Sequence, residues 1–216
     1  FQLGLLYPQS FPAILTSRIL DPQPNEEIVD LNCAPGGKLS HISGLMQNTG
    51  RIIGVDRNKQ KTSTARETIK RLGCSNATLI AQDARYFDID FPEVKADRCI
   101  VDPPCSALGI LPKLYEYTST AEIQALAKYQ KQFLKVASKV VKPGGIVVYS
   151  VCTTTFEECE AVAKFAIENY GLTLERQELF FGEQGFKLYP STELTQRFHP
   201  HKHDAGYFIA RFRKTG

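Results

Sequence analysis

The chain has 216 residues, 43% hydrophobic and 23% charged, with a net charge of +3. That composition excludes disordered, collagen-like and coiled-coil classes, and the length suits one α/β domain, since a chain of this size buries roughly 70% of its unfolded surface. No apolar run approaches the ~18 residues of a membrane helix.

The elements alternate. Residues 26–33 (EEIVDLNC) predict a first strand running into a Gly-rich loop, and residues 38–47 a helix with Ile42, Leu45 and Met46 on one face. A second strand over 51–56 (RIIGVD), an amphipathic helix over 59–72 stopped by Gly73, and strands over 77–83 and 96–101 follow. Residues 120–141 predict a helix ended by Pro143-Gly144-Gly145, and 146–152 a β-branched strand buried on both faces. A helix over 156–170, an edge strand over 172–179 and a last alternating strand over 206–213 (GYFIARFR) complete the chain. This order predicts a doubly wound, mostly parallel sheet with an antiparallel strand near the C-terminus, in a single domain over 1–216 whose residues 1–25 form a short lead-in. No leader reads as a secretion signal, and the Phe1 start suggests an N-terminal truncation.

Six cysteines, at 33, 74, 99, 105, 152 and 159, contain no CxxC pair. Neither a disulfide framework nor a zinc knuckle is expected, and a reducing cytoplasm is the expected compartment. His199, His201 and His203 alternate, so an extended backbone would put them on one side, but no acidic or thiol group at ligand spacing completes a set and no metal is expected. From Arg197 onward five cations face Asp204 alone, a local +4 that leaves −1 for the rest. This predicts a basic face suited to a polyanion, formed by Arg197, His201, Lys202, His203 and Arg211.

In such sheets ligands bind at the carboxyl ends of the strands. Here those ends carry Asp30, Asp56, Asp83, Asp102-Pro103-Pro104-Cys105 and Ser150-Val151-Cys152. The loop Asn32-Cys33-Ala34-Pro35-Gly36-Gly37-Lys38 permits a tight turn close to a ligand but lacks the GxGxxG of dinucleotide sites. Asp56, twenty residues past Gly36, suits the two hydroxyls of a ribose, and Asp83 the amino group of a base. Together they predict a nucleoside-bearing cofactor, and S-adenosylmethionine fits better than NAD. The Asp-Pro-Pro loop continues into Cys105 rather than the aromatic residue of amino-methylating enzymes, and Cys152 ends the neighbouring strand. Carbon 5 of a pyrimidine accepts a methyl only after a thiolate adds at carbon 6, which is a chemical reason for cysteine here. Asp102 would stabilise the charge developing on the ring.

These residues resemble the NOL/NOP/Sun (Fmu) family of S-adenosylmethionine-dependent RNA cytosine-5 methyltransferases. Residues 5–12 (LLYPQSFP), 30–38, 102–109, 149–153 and the terminal 200–214 match its motifs in order. The resemblance implies a Rossmann-like fold, Cys152 as nucleophile, Cys105 in product release, Lys38 reaching the target base, and Asn32 to Lys38, Asp56, Asp83 and Asp102 around the cofactor. It implies an RNA substrate, tRNA or rRNA, and a separate RNA-binding domain upstream; residues 107–113 look most like archaeal members. Arg57, Lys59, Lys61 and Lys70 add possible phosphate contacts. The chain departs from the pattern at Asn32-Cys33 (usually Cys-Ala), Leu39 (Thr), Pro103 (Ala), Ala107 (Gly) and Val151 (Thr). Other readings are a non-catalytic subunit that binds the cofactor or RNA, a methyltransferase for amines or small molecules, and an NAD-dependent oxidoreductase. Both retained thiols argue against the first, Cys105 against the second and the missing GxGxxG against the third.

Overall fold

A computed structural model describes residues 3–111 and 117–216. The parallel half of its sheet is β3-β2-β1-β4-β5, with β1 (Glu27–Asp30), β2 (Arg51–Asp56), β3 (Ala77–Ala81), β4 (Ala96–Val101) and β5 (Val141–Val151). β9 (Tyr207–Lys214) runs antiparallel to β5. The far edge of β9 takes both β6 (Leu172–Leu174) and β8 (Gln196–Phe198), and β8 carries the two-residue β7 (Glu183–Gln184).

Alternation along the strands feeds two cores. Ile28, Ile52, Ile100 and Val148 face α1 (Phe11–Leu20), α2 (Gly37–Leu45) and α3 (Lys59–Arg71), whereas Val29, Ile53, Val101 and Val147 face α4 (Phe87–Asp90), α5 (Thr120–Val140) and α6 (Glu160–Tyr170). Central strands covered on both faces must be apolar throughout, as these are. Among the described residues no helix is long and apolar enough to cross a membrane.

The boundaries differ from the sequence expectation where tertiary bonds intervene. The lead-in contains α1, whose Leu15, Ile19 and Leu20 are buried in the core, so it is an integral part of the domain. α5 begins at a Ser119–Glu122 capping box and ends at Val140, and β5 starts at once: Val141 pairs with Ala96, the register slips at Pro143-Gly144-Gly145, and a regular ladder resumes at Ile146. α6 begins at Glu160 rather than Phe156. The strand expected over 172–179 stops at Leu174, because Glu175 turns toward Arg211 and Arg213 and buried Gln177 bonds the carbonyls of Leu194 and Ile209. Strand β3 likewise ends at Ala81, and Asp83 instead caps a short 3-10 turn over Ala84–Tyr86. Of the 107–113 segment, residues 112 and 113 lie outside the described residues.

Candidate active site

Strand order reverses between β1 and β4, the switch point at which open α/β sheets form their ligand crevice. A cavity of about 310 Å³ lies there, lined by Asn32, Ala34, Asp56, Asp83, Asp102, Cys105 and Cys152. A second, of about 150 Å³, shares Asn32, Ala34 and Asp102 and adds Cys33, Pro35, Gly37, Lys38, Tyr7 and Gln9. The larger hollow of about 600 Å³ beside α1 is lined by Arg18, Glu175, Arg211 and Arg213 and includes none of the strand-end groups.

The loop after β1 turns tightly: the Gly36 N–H donates to the Cys33 carbonyl at 2.7 Å, and Gly36 has φ 101°, which a side chain would strain. Cys33 itself faces the core, where burial pushes its thiol up, so it contributes backbone rather than reactive sulfur. Among the described residues the Asn32 side-chain oxygen is buried without a partner, and Asn32 lines both cavities. A buried amide oxygen with no donor is a place for a ligand N–H. Asp56 lines the cavity with one carboxylate oxygen taken by the Asn58 N–H. Asp83 also lines it, but Arg85 holds both carboxylate oxygens, with one contact at 2.6 Å, and keeps the group below the usual carboxylate range. A base amino group would share Asp83 with that guanidinium.

The two thiols meet. Cys105 and Cys152, at the ends of adjacent strands, have their sulfurs 3.3 Å apart. The Cys105 hydrogen bond holds the Cys152 thiol below its ordinary value, against burial and the Asp102 charge and with help from Lys38. The same bond and burial push Cys105 up. Of the pair, Cys152 is the thiol whose ionisation the surroundings favour. The loop carrying Cys105 is fastened to the next strand by backbone: the Gly109 N–H donates to the Cys152 carbonyl at 3.0 Å, and the Gly206 N–H to the Gly109 carbonyl at 2.7 Å. A Cβ on Gly109 would lie 2.0 Å from the Gly206 oxygen, so only glycine allows this approach.

Beside the thiols the Lys38 ammonium donates to Asp102 Oδ2 at 2.6 Å, and Ser150 donates to Asp102 Oδ1 at 3.0 Å. Burial opposes the charge on Lys38, but Asp102 and Tyr207 outweigh it and raise the ammonium above its ordinary value. The sequence places Asp30 and Ser150 at strand ends without giving either a role, and buried Tyr207, whose hydroxyl donates to Ser150 at 3.3 Å, is absent from the sequence-based site. Asp30 is buried and accepts from the Asn32 N–H at 3.0 Å; burial first, then the Asp102 and Asp56 charges, push its carboxyl to about 7. Its position at a strand end was visible, but its burial was not.

Arg197 and Arg211 do not join the expected basic face. Arg197 is 1% exposed and clamped to buried Glu160, with Nε to Oε1 at 2.5 Å and NH1 to the Thr154 carbonyl at 2.9 Å. Arg211 pairs with Glu175 at 3.3 Å and with the Ile19 carbonyl, and Lys202 pairs with Glu183. These carboxylates come from distant sequence, which a charge count over one segment omits. Residues 199–203 are not extended either: α7 (Pro200–His203) turns there, and His203 Nδ1 accepts from the His199 N–H. His201 and Lys202 are exposed on that turn.

Residues 17–213 match the family of 16S rRNA methyltransferase RsmB/F. The chain is 43% identical over 216 residues to a tRNA (cytosine(72)-C(5))-methyltransferase of Pyrococcus horikoshii, covering 99% of this chain and 54% of that protein. It is 36% identical to the 25S rRNA (cytosine-C(5))-methyltransferase nop2 of Schizosaccharomyces pombe, covering 95% and 36%. The crystal structure of NSun6 from Pyrococcus horikoshii with SFG superposes with a TM-score of 0.92 at 42% identity, over all of this chain and 55% of that one. The chain thus spans about half the length of the relative it matches at 43%, or less in the case of nop2. With the motifs in order, the fold superposed and nearly its whole length matched, the chain belongs to the RsmB/F (NOL/NOP/Sun) family of RNA methyltransferases.

Proposed function

We propose that this domain transfers a methyl group from S-adenosylmethionine to carbon 5 of cytosine in RNA, tRNA or rRNA, through a covalent bond between Cys152 and carbon 6 of the base. The observation that carries this reading is the pair of sulfurs 3.3 Å apart beside the Lys38–Asp102 ion pair. The names of the relatives, cytosine-C5 methyltransferases of tRNA and rRNA, support the base and the polymer.

The residues fit the cofactor. Asp56 offers acceptors for a ribose, Asn32 an unpartnered oxygen for an N–H donor, and the loop from Cys33 to Gly37 a close backbone wall. A neighbour of the same fold was solved with SFG, an S-adenosylmethionine analogue. When bound, the cofactor supplies an electrophilic methyl group. The protein's part is to make carbon 5 nucleophilic: the Cys152 thiolate adds at carbon 6, Lys38 donates to the ring as charge develops there, and Asp102 accepts from the exocyclic amine. Release requires transfer of the carbon 5 proton to a base as the carbon 6–sulfur bond breaks and Cys152 leaves as thiolate, and Cys105 stands at the sulfur that must leave. Because the thiol is half-buried, the cytosine must be unpaired or flipped out. Recognition of the RNA by a further, upstream domain is part of this reading, as is phosphate binding through exposed cations such as Lys59 and Lys61.

The test is incubation with tritiated S-adenosylmethionine and RNA, followed by digestion to nucleosides, with Cys152→Ala alongside. Label in 5-methylcytidine that vanishes in the variant is expected. Label in another nucleoside, or turnover that survives the substitution, overturns the reading.

A further inference from the structure

Behind the thiols lies a carboxylate that the chemistry above does not use. Glu158 is completely buried in the turn before α6. Its Oε1 accepts from the Ser106 N–H at 2.9 Å and from Gln130 Nε2 at 2.8 Å, and its Oε2 accepts from the Ser106 hydroxyl at 2.5 Å and the Thr155 hydroxyl at 2.8 Å. The second N–H of Gln130 goes to the Pro104 carbonyl at 3.1 Å, and the Tyr149 hydroxyl donates to the Glu158 backbone oxygen at 2.7 Å. Four donors around two oxygens satisfy an ionised carboxylate, which accepts only.

The partners carry the meaning. Ser106 follows Cys105 and Thr153 follows Cys152, and their hydroxyl oxygens are 2.8 Å apart. With the Ser106 proton committed to Glu158, the Thr153 hydroxyl donates to Ser106. A directed chain Thr153 to Ser106 to Glu158 thus joins the two thiol loops one residue beyond each sulfur, while Gln130 of α5 holds the same carboxylate and the Pro104 carbonyl on the other side of Cys105. We infer that Glu158 is a positioning residue that sets the separation of Cys105 and Cys152, and through it the release of product from the covalent adduct.

The inference rests on the two-thiol reading above and extends it. Deleting the carboxylate leaves the Ser106 and Gln130 N–H groups unpaired in a buried site, and unpaired buried donors force their loop to move toward water. That loop carries Cys105. The cofactor-facing groups Asn32, Asp56 and Asp83 make no hydrogen bond to Glu158 among the described residues. Glutamine is the conservative replacement: its oxygen serves the two fixed N–H donors, and its amide nitrogen faces two hydroxyls that can rotate to accept.

The experiment compares Glu158→Ala, Glu158→Gln and Ser106→Ala with the unaltered protein, and with Cys105→Ala and Cys152→Ala. Three quantities are read: calorimetric affinity for S-adenosylmethionine, denaturant-resistant protein–RNA adduct with turnover, and the rate at which diamide joins Cys105 to Cys152. Expected for Glu158→Ala are cofactor affinity close to the starting value, a turnover loss of about 10- to 100-fold, the size of one charge-assisted hydrogen bond, accumulation of adduct as in Cys105→Ala, and slowed diamide coupling. Glu158→Gln restores most of each. Ser106→Ala, which keeps the buried carboxylate paired through the backbone, moves the same quantities in the same direction and carries the test if Glu158→Ala does not fold. Unchanged diamide coupling and adduct level in the folded variants overturn the inference, as does a fall in turnover matched by an equal fall in cofactor affinity, which marks a purely structural role. Turnover persisting in Cys152→Ala instead overturns the two-thiol reading, and the diamide rate still reports on Glu158 alone.

Discussion

The Lys38 ammonium and the Asp102 carboxylate, 64 residues apart in sequence, lie 2.6 Å apart and bind the loop after β1 to the end of β4. The pair bridges the switch point of the sheet, so one contact aligns the cofactor side of the crevice with the thiol side. Its positive partner also bears on the proposed nucleophile, because the Lys38 charge is among the groups that lower the Cys152 thiol.

The pH dependence of Cys152 follows from this. A thiolate fraction rises with pH, and the hydrogen bond from Cys105, with the Lys38 charge second, brings that rise below the ordinary cysteine value. Alkylation of Cys152 by iodoacetamide, followed by mass spectrometry across pH, should have its midpoint below that of a free cysteine. Cys105→Ala and Lys38→Met should each move the midpoint upward, the former more. A midpoint that both substitutions leave in place removes the electrostatic account of the nucleophile.

Asp56→Ala should weaken S-adenosylmethionine binding by about 1.5 to 3 kcal/mol, the size of a hydrogen bond to a charged group, roughly ten- to a hundredfold in Kd. Asn32→Ala should also weaken it, because a ligand N–H then loses the buried amide oxygen as its acceptor. Isothermal titration calorimetry measures both. An Asn32→Ala protein that binds the cofactor normally would assign that oxygen to a different donor.

Asp30 makes stability fall as pH rises. Its carboxyl titrates near 7 when folded and near 3.8 when unfolded, so across that window the unfolded chain releases a proton that the native state retains. The penalty is absent below the lower value and complete above the upper one. Asp30→Asn removes it. Urea unfolding of the variant and the parent should therefore diverge in the variant's favour by roughly 2 to 3 kcal/mol between pH 5 and pH 8, whatever the constant offset of the substitution. Parallel profiles would show that Asp30 is ionised in the native protein.

Arg197 should matter to folding and not to RNA. Arg197→Met leaves buried Glu160 with, among the described residues, only the Phe186 N–H as partner, a loss of about 3 to 5 kcal/mol for breaking one side of a buried pair. Adding Glu160→Leu should recover much of it. Denaturant melts read the stability, and filter binding against salt concentration reads the RNA. A shallower salt slope in the folded double variant would mean that Arg197 does reach phosphate.

Much of this protein is legible in its sequence because the determining interactions are local or periodic. Apolar runs such as 146–151 can be satisfied only in a sheet covered on both faces, and alternating strands and helices of this length wind in one direction. That order alone placed Asp30, Asp56, Asp83, Asp102, Cys105 and Cys152 along one rim, and the structure lines one cavity with all of them but Asp30, which is buried. Groups whose state depends on distant partners were not legible. Arg197 counts as a surface cation until Glu160, 37 residues away, is brought against it, and Glu157 and Glu158 are the same letter although only the second is sealed among four donors. Periodicity records which face of an element is buried. Which buried charges meet, and whether two thiols end 3.3 Å apart, depends on long-range packing that fixes positions to fractions of an ångström, and only the tertiary structure supplies that.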